Sequence, residues 1–273
     1  MSKTKQLYLN SYPDLQIKLL EDRHVFPTLL AWLTPVIVML GTRLSWLLIA
    51  GAERFFVPPS ELEFYIGQST KYFVILIVML LIMLRQGIKF REIGLSSGLR
   101  VMLSEVLTGG VFALFYILVT WIMSLFFIQF MPERVEEVTF NILYGYIIPA
   151  DKALDFGYML NPWIYSFYMT IIPAFIEEVY FRGYSINVLK TVFKNIRIVN
   201  LLQTVLFSLL HWYRGILAGI LPMFIFGFLF GFVTIRNGYR LTSALTGHLA
   251  TNTLSTFLYL RGLQIVSQHL STR

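Results

Sequence analysis

The sequence predicts an all-α fold, a polytopic integral membrane protein with seven or eight transmembrane helices. Three observations carry that expectation. Of the 273 residues, 56% are hydrophobic and 14% charged, and the mean hydropathy of +0.68 leaves too little polar surface for a soluble domain. Seven apolar stretches approach the roughly 20 residues that a helix needs to cross about 30 Å of hydrocarbon. The net charge of +7 is distributed unevenly between the loops on alternate sides, as cytoplasmic and external loops are. In a soluble chain that charge would suggest nucleic acid, but no nucleic-acid motif accompanies it. There is no cysteine, which excludes disulfides, thiolate metal sites, iron–sulfur clusters and cysteine nucleophiles together.

The spans follow in chain order: Phe26 to Ala50, Phe64 to Leu84, Val101 to Phe130, Asn161 into the 170s, Ile198 to His211, Gly215 to Ile235, and Leu241 to Leu260. A weaker run from Ile142 to Ala150 reads as a re-entrant or interfacial piece, so the count is seven or eight. Residues 1–25 are polar and form a cytoplasmic arm, and residues 26–273 form a single transmembrane domain. The first span is too long for a signal peptide and carries Arg43. With the N-terminus inside, 14 of the 22 Lys and Arg residues fall on the inner side and seven on the outer, leaving Arg43 within a span. The acidic loop from Glu133 to Asp155 then faces out. Gly215-x-x-x-Gly219 and Gly227-x-x-x-Gly231 would let neighbouring helices approach closely. Pro35, Pro173 and Pro222 should kink their helices, and each removes a backbone donor that a neighbour or water must replace. Glu105 lies near enough to the inner interface to be hydrated, and Arg43 is expected to snorkel or to pair with an acid.

Ionisable side chains at membrane depth are costly and mark a functional site by default. The fourth span continues into Glu177-Glu178-Val-Tyr-Phe-Arg182, the fifth carries Phe207-x-x-x-His211 and the seventh His248-x-x-x-Asn252. At about 1.5 Å of rise per residue, Glu177 is roughly 20 Å along its helix from Lys190, His211 roughly 21 Å from Arg197, and Asn252 and His248 about 18 and 12 Å from Arg240. Three helices thus bring polar groups to a similar level, as a shared site requires. Glu178 and Arg182, four apart, share a face and can pair, while Glu177 points about 100° away into a cavity. Desolvation would make Glu177 a stronger general base than an exposed carboxylate. Pro173 cannot bond the Met169 carbonyl, which loosens the helix beside Glu177. Phe207 can wall the site, and Asn252 with His248 can donate to a developing oxyanion. A carboxylate base, a helper histidine and two donors suffice for water attack on a peptide carbonyl without a covalent nucleophile.

Glu-Glu-x-x-x-Arg, Phe-x-x-x-His and His-x-x-x-Asn, in that order on successive apolar segments, resemble the CPBP family, also called ABI, of CAAX prenyl endopeptidases and bacteriocin-processing enzymes. The resemblance covers about 80 residues, roughly 160 to 260, and extends loosely to Arg91-Glu-Ile-Gly-Leu95. It implies an all-helical, glutamate-type intramembrane endopeptidase in which Glu177 and His211 activate water, His248 and Asn252 form the oxyanion hole, and Glu178 and Arg182 support the site. It implies no cofactor and no metal, although Glu177, His211 and His248 are acceptable zinc ligand types. The implied partners are the lipid bilayer and a peptide or lipidated protein substrate, such as a prenylated CAAX protein or a bacteriocin or pheromone precursor, in the cell membrane if the source is prokaryotic. Two other readings stay open on the residues alone. Buried Glu, His and Arg also build proton relays in transporters, although no inverted repeat with broken helices is present, and a non-enzymatic membrane partner or immunity protein could carry the same groups.

Overall fold

Described in a computed structural model are residues 25–56, 58–95, 99–130, 160–212 and 215–255. Among them every regular element is helical. The order is α1 (Val25–Ala50), α2 (Ala52–Phe56), α3 (Glu61–Gln86), a 3₁₀ turn (Phe90–Ile93), α4 (Leu99–Phe130) and α5 (Pro162–Glu177). A π-helical stretch (Glu178–Ser185) then runs into α6 (Ile186–Val192), followed by α7 (Ile196–Leu209), a second π-helical stretch (Ile216–Ile220), α8 (Leu221–Arg236) and α9 (242–255). α1, α3 and residues 101–123 of α4 are long and apolar enough to cross a membrane; α7 and α8 are apolar but shorter. The run Ile142 to Ala150, the loop from Glu133 to Asp155 and the N-terminal arm lie outside the described residues.

Local chemistry sets the element ends. Ser60 caps α3 by accepting from the Glu63 N–H at 3.2 Å, and Glu61 and Glu63 in its first turn complement the positive end of the helix dipole. Asn161 caps α5, accepting from the N–H groups of Trp163 and Ile164 at 3.0 and 3.2 Å. On α4, the exposed residues Leu107, Val111, Leu114 and Leu118 form an apolar stripe at helical spacing, which suits acyl chains.

The π-helical stretch is the centre of the core. Its eight residues, Glu178 through Ser185, are all buried, and its wider turn is marked by the Ser185 hydroxyl donating to the carbonyl of Tyr180, five residues back, at 2.8 Å. Tyr180 and Tyr184 tie it to α1 by donating to the Trp32 and Ala31 carbonyls at 2.5 and 3.3 Å. Ala31 is the residue whose carbonyl Pro35, inside α1, leaves without a helical donor. Pro222 stands two residues past the second π-helical stretch, where that stretch passes without a break into α8.

Glycines govern the α7–α8 contact. A side chain on Gly231 would overlap Asn200 Oδ1 on α7, and one on Gly227 would press on Phe207 and Thr204. Gly215 takes φ 79° and starts the second π-helical stretch. Glu105 also departs from expectation. It is buried rather than hydrated and receives a charge-assisted hydrogen bond from Arg240 Nε, because α4 packs against the turn before α9 there.

Candidate active site

Four elements supply the polar cluster. Glu177 ends α5, Glu178 and Arg182 lie on the first π-helical stretch, His211 follows α7, and His248 and Asn252 stand on α9. Glu178 is the hub. Its Oε1 lies 3.1 Å from Arg182 Nη1 and 2.7 Å from His248 Nδ1, so one carboxylate joins two cationic or potentially cationic groups from separate helices. A carboxylate only accepts here, so His248 Nδ1 carries a proton and donates it to Glu178. The opposite ring nitrogen, Nε2, faces Glu177 Oε2 at 3.9 Å, a separation that one water can bridge.

Arg182 is fully buried. Although its Nη1 is close to Glu178, no guanidinium N–H has hydrogen-bond geometry to an acceptor among the described residues. The cation instead lies against aromatic faces, 4.4 Å from the centroid of Phe207 and 5.5 Å from that of Phe226. In a site shielded from water, ring quadrupoles and one carboxylate together offset part of the desolvation cost.

The same two rings separate the histidines. Phe207 and Phe226 stack at 5.7 Å, His211 packs on Phe207 at 4.8 Å and His248 on Phe226 at 4.6 Å. His211 Nδ1 meets the Phe207 carbonyl at 2.8 Å. Because a carbonyl cannot donate, Nδ1 bears the hydrogen and a neutral His211 keeps its lone pair on Nε2.

Glu177 and His211 line one cavity of about 430 Å³, bounded by Met39 and Trp46 of α1, Ile75 of α3 and Phe181. Glu177 therefore turns away from its neighbour's ion pair and toward open space, as its position on the helix suggests. Asn252 has a partner that the sequence reading does not assign. Its Nδ2 donates to the Met169 carbonyl at 3.0 Å, so one of its two amide hydrogens is committed to α5.

All six residues singled out in the sequence are thus placed: Arg182 and His248 joined through Glu178, with Glu177 3.9 Å from His248, His211 across the aromatic pair on the cavity shared with Glu177, and Asn252 bracing α5 one turn along from His248. The contact between Glu178 and His248, and the role of Phe226 between the imidazole and Arg182, have no sequence signal. The Asn252 contact had half of one, since Pro173 announces an orphan carbonyl at Met169.

Residues 159–254 match the family model Rce1-like, described as type II CAAX prenyl endopeptidase Rce1-like. The matched stretch contains all three motifs. No curated protein and no solved structure matches the chain significantly.

Proposed function

We propose that this chain, similar over residues 159–254 to the type II CAAX prenyl endopeptidases, is an intramembrane glutamate-type endopeptidase that cleaves a peptide bond with an activated water. The observation that carries this reading is the division of labour between adjacent carboxylates. Glu178 is committed to Arg182 and His248, while Glu177 faces the cavity shared with His211.

The scheme assigns each group a role. Water held between Glu177 and His211 Nε2 gives its proton to the Glu177 carboxylate as its oxygen attacks the substrate carbonyl. The developing oxyanion accepts from His248 Nε2–H and from the second amide hydrogen of Asn252. For Nε2 to donate while Nδ1–H remains on Glu178, the ring must be an imidazolium, whose charge the adjacent Glu178 carboxylate stabilises. Glu177 finally delivers its proton to the leaving amine, which restores the carboxylate. No cofactor enters this scheme. The apolar walls beside Glu177 suit a CAAX-type prenylated peptide or a bacteriocin- or pheromone-like membrane peptide, in the cell membrane if the source is prokaryotic, with the N-terminal arm on the cytoplasmic side.

The test uses purified, reconstituted protein with a fluorogenic peptide library offered with and without a farnesyl group. Cleavage by the parent is expected, with losses of about 100-fold or more in Glu177→Ala, His211→Ala and His248→Ala. Equal background from all four proteins would replace the peptidase with a carrier or a non-enzymatic membrane partner.

A further inference from the structure

His248 Nδ1 lies 2.7 Å from Glu178 and Nε2 3.9 Å from Glu177, and both acids stand on the helix that runs from α5 into the π-helical stretch. Those distances hold only while α9 keeps its depth and rotation against that helix. At the inner end one element touches both. The Gly94 carbonyl, just past the 3₁₀ turn, accepts from the Leu241 N–H at 3.1 Å, and a Cβ on Gly183 would lie 2.9 Å from the Ile93 carbonyl of the same turn. His248 is about 9 Å farther along α9, six residues past its start. The rotation and tilt of α9 at that distance need a second support.

α4 supplies it. Glu105 and Gly109 stand one turn apart on one face of that helix. Glu105 accepts from Arg240 Nε just before α9 begins, and both side chains are buried. A Cβ on Gly109 would overlap the Ser243 carbonyl and the Thr246 hydroxyl and lie 2.9 Å from the Gly247 nitrogen. The relation is reciprocal, since a Cβ on Gly247 would overlap the Phe230 ring and lie 2.9 Å from the Gly109 carbonyl. Residue 105 meets 240 and residue 109 meets 243–247, so the two helices run parallel and touch backbone to backbone at the residue before His248. Main-chain atoms cannot turn aside as a side chain can. Thr246 is held as well, its hydroxyl donating to the Thr242 carbonyl at 2.6 Å. Across from α4, the His248 ring meets the Phe226 ring at 4.6 Å, and Phe226 packs on Phe230 at 4.3 Å. α9 is therefore gripped between α4 and the aromatic rings of α8.

We infer that Glu105 and Gly109 are positioning residues for the reaction: they seat α9 and thereby aim His248 at Glu178 and at the reacting carbonyl. Where it concerns turnover this rests on the peptidase reading above; where it concerns the bond between His248 and Glu178 it rests on the packing alone. Glu105 and Gly109 act only through α9. A methyl group at position 109 must push α9 away from α4, and a misplacement of about 1 Å costs about 100-fold in rate.

The experiment uses the full chain in nanodiscs, labelled with 15N on its four histidines, with His248 assigned by its loss in His248→Gln. Ring 15N spectra show whether Nδ1 bears a proton, and turnover of a farnesylated fluorogenic peptide is measured on the same preparations, well below each melting temperature. In the parent, His248 Nδ1 should be protonated. Gly109→Ala should show a population with Nδ1 unprotonated, and kcat about 100-fold lower with KM little changed. The double variant Glu105→Gln/Arg240→Met, which strands no buried charge, should show both changes to a smaller degree and carries the test if Gly109→Ala does not fold. Gly110→Ala, whose methyl meets nothing within 4 Å, and Gly231→Ala, which strains the α7–α8 contact instead, should keep the parent's Nδ1 proton and kcat. Parent-like spectra and kcat in Gly109→Ala, or in the double variant when it alone folds, would overturn the assignment. So would an equal loss in Gly231→Ala, or a parent whose His248 Nδ1 bears no proton. The two proposals fail separately. No cleavage by the parent, with the Nδ1 proton lost in Gly109→Ala, would sink the peptidase and retain the seat of α9, whereas parental cleavage left intact by Gly109→Ala would do the reverse.

Discussion

Asn252 on α9 donates its side-chain amide to the carbonyl of Met169 on α5, the acceptor that Pro173 leaves without its helical N–H. A helix break needed beside Glu177 is thus repaired from another span. Replacing Asn252 with Ala should cost about 1 kcal/mol, because a half-buried carbonyl loses its donor. In a Pro173→Ala background the new backbone N–H at position 173 supplies that donor, so the same substitution should cost clearly less. Thermal unfolding of the four proteins of this double-mutant cycle measures the coupling. Activity is the second readout: if Asn252 also contacts the oxyanion, Asn252→Ala should remain impaired after Pro173→Ala has restored stability.

Glu178 serves Arg182 and His248 at once. Glu178→Gln strands a buried guanidinium and should destabilise the protein by about 3–5 kcal/mol. Adding Arg182→Met removes the stranded charge and should recover much of that stability. Activity should not return with it, because the imidazole of His248 still lacks an anionic partner. Melting temperature in detergent and peptide turnover, measured on the same preparations, separate the two effects.

Gly231 on α8 lies against Asn200 and Gln203 of α7. Those side chains cannot easily move aside, since Asn200 Nδ2 donates to the Phe228 carbonyl at 3.1 Å and Gln203 Nε2 to the Gly227 carbonyl at 3.0 Å. Gly231→Ala should therefore destabilise by about 1–3 kcal/mol, the usual range for overpacking. Gly110→Ala, where an added methyl meets nothing within 4 Å, serves as the control and should leave the melting temperature unchanged or slightly raised.

If water is activated by Glu177 and His211 alone, activity should persist in the presence of a strong chelator. Turnover measured before and after exhaustive treatment with phenanthroline checks this. Complete loss followed by recovery on adding zinc would overturn the metal-free scheme, although among the described residues no three such side chains are grouped to hold a metal ion.

Legibility in the sequence varied with how local the determining physics is. The pairing of Glu178 with Arg182 follows from four-residue spacing, and survives the wider π-helical turn because the two remain on one face. The need for a donor at Met169 follows from Pro173 alone. The donor itself, 83 residues away, does not, nor does the bond of His248 to Glu178 across 70 residues.

Composition and spacing alone determined that the chain is helical, rich in membrane-length apolar segments, and supplied with acid, histidine and amide groups on three of them, because hydropathy and helical period are properties of adjacent residues. Only the tertiary structure decided which partners those groups keep: Glu178 for His248, Asn252 for Met169, and a cavity shared by Glu177 and His211. Those choices depend on how separate helices align in depth and rotation, which is settled by packing around Tyr180, Phe207 and Phe226 and is written in no single stretch of chain.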